Sequence, residues 1–170
     1  MILDSGNRQQ FYDKDGKPLA VRDVSEGKGR CDLLPLDTIS EYLRHNGSYT
    51  YSKIISEIHE FTQTGDTDHL LNAVQKFTEA HLMWDGYSGS MILDYAKHLE
   101  EGCKKYGANN WKLGIPTYRY VDSGTRHLLK YMRGDTDEPH DRAFVFNMLG
   151  CVWTCKHLPE LNDYKGGGSE

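Results

Sequence analysis

A chain of 170 residues with a formal net charge of −5 is long enough to bury one core without disulfide or metal staples. The acidic balance speaks against a binder of duplex nucleic acid, which needs a basic field, yet leaves room for a small phosphorylated ligand in a local basic pocket. No apolar run is long enough to cross a bilayer and the opening MILDSGNRQQ has no apolar signal core, so a cytoplasmic protein with no membrane partner is expected. Cys31, Cys103, Cys151 and Cys155 form no CxxC pair and are expected as reduced core thiols.

Residues 1–36 read as an N-terminal arm. Gln10-Phe11-Tyr12, Asp15-Gly16 and Leu19-Ala20-Val21 fit a small hairpin or extended segment. Behind Pro35, Asp37 or Thr38 is placed to cap a helix, with Glu41 completing a capping box. Tyr51, Ile54, Ile55, Ile58 and Phe61 then follow helical spacing up to Gly65. Asp66-Thr67-Asp68 offers the cap of the next helix, with Leu70, Leu71, Val74 and Phe77 on its apolar side. Trp84 to Gly89 reads as a turn. A helix follows over Ile92–Tyr106 with Leu93, Ala96, Leu99 and Cys103 inward and Gly107 as its cap.

Asn109 to Pro116 reads as a loop, and Tyr118–Arg133 as a helix stopped by Gly134. The last helix runs from Pro139 to about Cys155, and its broad apolar face, Trp153 included, points to a homo-oligomer. The fold class is mainly α: a helical bundle behind a short N-terminal hairpin. A helical domain spans 37–160, with 45–90 as an inserted helical segment, and 161–170 form a disordered tail.

Polar residues gather at several points in these helices. Glu100 and Lys104 are four apart, as are Asp122 and Arg126, and such pairs are ordinarily solvated ion pairs. Glu57 and Glu60 have the ExxE spacing that puts two carboxylates on one face, suited to Mg²⁺. His140 and Asn147, seven apart, share a face of the last helix. Asn147 stands among Phe144, Phe146 and Met148, where an unsatisfied amide costs roughly 1–3 kcal/mol, so a partner is expected for it.

Taken in order, these segments resemble the phage-type dATP/dGTP diphosphohydrolase family. The resemblance runs through Ala20-Val21-Arg22-Asp23 and Lys28-Gly29-Arg30-Cys31-Asp32-Leu33-Leu34-Pro35. It resumes at Glu100 to Gly107, Asn110-Trp111, Gly114-Ile115-Pro116, Asp122-Ser123-Gly124, Arg126-His127-Leu128, Gly134, His140 and Asn147.

The resemblance implies hydrolysis of a purine dNTP to dNMP and pyrophosphate, with kinship to all-α, Mg²⁺-dependent MazG-like enzymes. It puts Glu100 first as metal ligand or general base, with Asp122, His127 and His140 as second choices for metal or proton-transfer roles. Lys104, Lys105 and Arg126 would hold phosphate oxygens, with Lys28 and Arg30, next to Asp32, closing over them. Trp111 or Tyr106 would stack on the base, and Asn110 and Asn147 complete the nucleotide-binding set. The other reading is a nucleotide or cyclic-nucleotide trap that blunts host defence without hydrolysing its ligand.

Overall fold

The computed structural model describes residues 8–24, 26–81 and 88–164. The hairpin forms: β1 (Arg8–Tyr12) and β2 (Pro18–Asp23) pair antiparallel. Asp13 closes the turn by accepting from the N–H groups of Asp15 (2.9 Å) and Lys17 (2.8 Å). Gly16 takes a φ of 79° there, a conformation that costs glycine nothing. Phe11, Leu19 and Ala20 are buried, so the hairpin is part of the core.

Six helices follow among the described residues: α1 (Leu36–His45), α2 (Tyr49–Thr64), α3 (Thr67–His81), α4 (Ser88–Tyr106), α5 (Thr117–Arg133) and α6 (His140–His157). The expected capping box is not formed. The first helix starts directly after Pro35, which leaves Thr38 inside the first turn with no cap to make. Ile54, Ile55, Ile58 and Phe61 of α2 are fully buried, and Gly65 ends the helix at a φ of 68°. Asp66 caps α3 through the N–H of Asp68 at 3.0 Å. Leu71, placed inward by its spacing, is 39% exposed, because the core takes Leu70, Ala73, Val74 and Phe77 instead. The second helix packs on α1 and α3, and α3 on α6. Residues 45–81 therefore supply core.

The fifth and sixth helices form the central pair. They approach closely because Gly150 leaves room for the Tyr120 ring, which would lie 2.8 Å from an added Cβ. Phe144, Val145, Met148, Cys151 and Val152 are buried within the chain, and Trp153 packs edge-on against Trp111 at 5.0 Å and stacks on His157 at 4.3 Å. The apolar surface of α6 is thus largely spent on its own core. No described helix is long and apolar enough to cross a membrane.

The fourth helix is phased differently from its sequence pattern. Tyr95 and His98 meet Phe146 at 6.2 and 4.8 Å, while Ile92 and Leu93 are 55% and 66% exposed and Ala96 and Cys103 are also exposed. Ser88 and Gly89, expected in a turn, open this helix; the rest of that turn lies outside the described residues. All four thiols are free; only Cys151 is fully buried, and Cys103 is not a core residue. The loop after α4 contains a 3-10 turn over Asn110–Leu113. Residues 161–164, expected in the disordered tail, are packed against the bundle. Asp163 caps α5 by accepting from the Tyr118 N–H (2.9 Å) and the Thr117 hydroxyl (3.0 Å), and Tyr164 packs on Phe61 at 5.3 Å. Residues 165–170 lie outside the described residues.

Candidate functional site

A cleft of about 910 Å³ opens between β2, α4, the 3-10 turn, α5 and the segment leading into α6. That volume lies in the range of small-molecule sites. Asn110 sets one edge: its amide accepts from the Val21 N–H at 3.0 Å and donates to the Val21 carbonyl at 2.8 Å, docking the hairpin on the turn. This leaves the Asn110 side chain spent on backbone.

Arg22 enters the cleft from β2. Its Nη2 donates to Asn147 Oδ1 (3.0 Å) and Ser123 Oγ (3.4 Å), and its guanidinium lies 5.6 Å from the Tyr120 ring centre. Nη1 is shut off from solvent with no hydrogen-bond partner, and burial pushes the Arg22 pKa down. Asn147 is 1% exposed and also donates to the Ala143 carbonyl at 2.7 Å. It therefore finds both a neighbour on its own helix and a distant cation.

The α5 wall presents Ser123, Arg126, His127 and Lys130, a set at helical i, i+3, i+4, i+7 spacing. Arg126 donates to the Gly29 carbonyl at 2.7 Å and to Asp122 at 2.5 Å. Asp122, 1% exposed, also accepts from the Cys31 N–H at 2.7 Å and lies 3.8 Å from Arg119. Its carboxylate anchors the arm and two arginines and does not line the cleft.

On the α4 wall, Lys105 pairs with Asp23, and Glu101 accepts from Arg142 at 2.6 Å. Glu100 lies on the rim, largely exposed and bonded to Lys104 at 2.6 Å. His98 is half-buried, and burial, with Arg142 next, pushes its pKa down to about 4; its Nδ1 is shut off without a partner.

At the far end two histidines meet. His127 Nδ1 and His140 Nδ1 are 3.0 Å apart, and His140 Nε2 lies 2.8 Å from Asp137 Oδ1. Glu138 Oε1 stands 3.7 Å from His127 Nδ1 and 3.8 Å from His140 Nδ1. Burial first, then His140 and the nearby arginines, push the His127 pKa down to about 3. The Lys130 ammonium and His140 hold the Asp137 carboxyl well below the usual carboxylate range.

The cleft brings together Lys28, Glu100, Lys105, Tyr106, Asn110, Trp111, Arg126 and His127. His140 and Asn147 stand behind it, in contact through His127 and Arg22. Arg30, Asp32, Lys104 and Asp122 do not line it; Arg30 and Asp32 pair with each other at 2.7 Å. Sequence reasoning missed Arg22, His98, Lys130, Asp137 and Glu138 as site residues, although the spacing of Arg126, His127 and Lys130 marks one helix face.

Mg²⁺ is ordinarily held by one or two carboxylates together with water and substrate phosphate oxygens. Among the described residues the groups of three whose ligand atoms converge are His127, Glu138, His140 and Asp135, Asp137, His140; neither contains Glu100 or Asp122, and both contain a histidine. Glu57 is bound to His69 and Lys76, each at 2.8 Å, on the surface of α2 and α3, outside the cleft, and Glu60 is exposed.

The family model described as dATP/dGTP diphosphohydrolase, N-terminal, matches residues 67–164. No curated protein and no solved structure matches the chain. The match takes in the third helix, which lay outside the resemblance drawn from the sequence, and leaves out residues 20–36, which lay inside it. With more than half of its length matched, from α3 to the cap of α5, the chain belongs to the dATP/dGTP diphosphohydrolase N-terminal family.

Proposed function

We propose that the cleft takes a purine deoxynucleoside triphosphate and that the protein hydrolyses it to the monophosphate and pyrophosphate. The observation that carries this reading is the convergence of Arg22, Lys28, Arg126 and Lys130 on one nucleotide-sized cleft in a chain of net charge −5. Arg126 and Lys28 take phosphate oxygens, for which a guanidinium offers paired donors. Trp111 or Tyr106 offers its ring to the base. The attacking water belongs at the end marked by His127 and Glu138, and pyrophosphate leaves toward the cationic groups. The family description supports the choice of a purine dNTP.

A second reading, binding without hydrolysis, is favoured by one feature. Asp23, Glu100, Glu101 and Asp137 are each already paired with a cation, which leaves Glu138 as the carboxylate of the cleft without one. Incubation with the four dNTPs, the NTPs and cyclic nucleotides, followed by chromatography and thermal shift, separates the two. Pyrophosphate from dATP or dGTP, lost in Arg126→Met, is the expected result. A thermal shift with ligand intact makes the protein a trap, and no shift with any nucleotide sinks both readings.

A further inference from the structure

We infer that His127, His140 and Glu138 form a three-ligand site for a borderline transition-metal cation such as Zn²⁺ or Co²⁺ at the end of the cleft. The two Nδ1 atoms and Glu138 Oε1 make a triangle with sides of 3.0, 3.7 and 3.8 Å. The point equidistant from the three corners lies about 2 Å from each, which is the bond length from zinc to imidazole nitrogen or carboxylate oxygen. Three protein ligands at that radius are what a zinc ion with an open position requires.

The surroundings orient the ligands as such a site needs. His140 is 2% exposed, and its Nε2–H donates to Asp137, itself held by Lys130 at 2.8 Å. That bond fixes the tautomer and leaves the His140 Nδ1 lone pair facing His127. A carboxylate behind a ligating histidine is the usual outer partner of a metal site. With His140 Nδ1 as the acceptor, His127 donates to it from Nδ1; on metal binding His127 gives up that proton to solvent, takes one at Nε2, and both Nδ1 lone pairs become ligands. Glu138 contacts both histidines. In the second convergent group, by contrast, Asp135 is bound by Arg133 at 2.7 Å and Asp137 by Lys130.

Two imidazole nitrogens among three ligands favour a borderline cation over Mg²⁺, which prefers oxygen. Because His127 and Glu138 line the cleft, the remaining coordination positions face it, open to water and to a phosphate oxygen. That last role rests on the nucleotide reading; the ligand set does not.

The test uses the full chain, stripped with a chelator, and no nucleotide. Zn²⁺ is titrated by calorimetry and Co²⁺ by visible absorption, with Mg²⁺ present in excess. One equivalent per chain should bind, with Co²⁺ d–d bands and no thiolate charge-transfer band. Glu138→Gln, at a half-exposed position, and His127→Gln should each weaken binding by about tenfold or more, with unchanged circular dichroism. Undiminished affinity in both variants, a thiolate band, or no saturable binding overturns the site. Metal binding without pyrophosphate release sinks the hydrolase reading alone, whereas pyrophosphate release by a chain that binds none of these cations sinks the metal site alone.

Discussion

Asn147→Ala tests how the hairpin is tied to the bundle. The Asn147 amide is 1% exposed and accepts from Arg22 Nη2 at 3.0 Å, while Arg22 Nη1 already lacks a partner. A hydrogen bond to a charged group contributes about 1.5–3 kcal/mol, and alanine returns roughly 0.6 kcal/mol of helix propensity. The net loss is about 2 kcal/mol, or roughly 4–8 °C in Tm for a chain of this size. Urea denaturation gives the number, and Arg22→Met supplies the second corner of a double-mutant cycle. In that background Asn147→Ala should cost at least about 1 kcal/mol less, because the two side chains act on each other. Equal costs in both backgrounds would show that the Arg22–Asn147 bond contributes nothing, and the account of the cleft floor would fail.

Two further outcomes follow from the same geometry. Asp163→Ala removes the acceptor at the start of α5 and should lower stability by about 1 kcal/mol, read as a drop in Tm; an unchanged Tm would refute the cap. His98 has a folded pKa of about 4, below the ordinary value near 6.5, so the unfolded chain takes its proton first. Its contribution is fully present above pH 6.5 and is lost as pH falls toward 4, at up to about 1.4 kcal/mol per pH unit. Arg142, Glu101 and Arg22 are the charged groups that act on this ring. Urea midpoints at pH 7, 6 and 5 should fall less steeply in His98→Gln, and parallel slopes in the two proteins would refute the assignment.

Local signals carried most of the fold. The stripe from Ile54 to Phe61, the cap at Asp66 and the glycine stops at Gly65 and Gly134 are nearest-neighbour physics, and each stands where its spacing puts it. The fourth helix was misphased because its inward face uses Tyr95 and His98, whose rings are apolar enough to pack on Phe146, while Ile92 and Leu93 stay outside. No hydropathy pattern ranks a histidine above a leucine.

The site was legible only in part, because its bonds join distant residues. Asn147 announced a need for a partner, yet Arg22 lies 125 residues away. Asp122 sits three residues after Arg119 and four before Arg126, so an ion-pair triad was written in the spacing beside the metal role the resemblance implied. Glu138 was unremarkable in a run of acids until the turn into α6 carried it to His127.

The bond between Asn110 and β2 bears on solubility. A two-stranded sheet leaves both outer edges open, and an open edge is a template on which another chain can lay a strand. Here the N–H of Ala20 is taken by the Gly114 carbonyl at 2.9 Å, and both backbone groups of Val21 are taken by the Asn110 amide. One side chain thus stands in for a third strand at the middle of the edge. Asn110→Ala would uncover both backbone groups of Val21, and with them a point on which another chain's strand can pair.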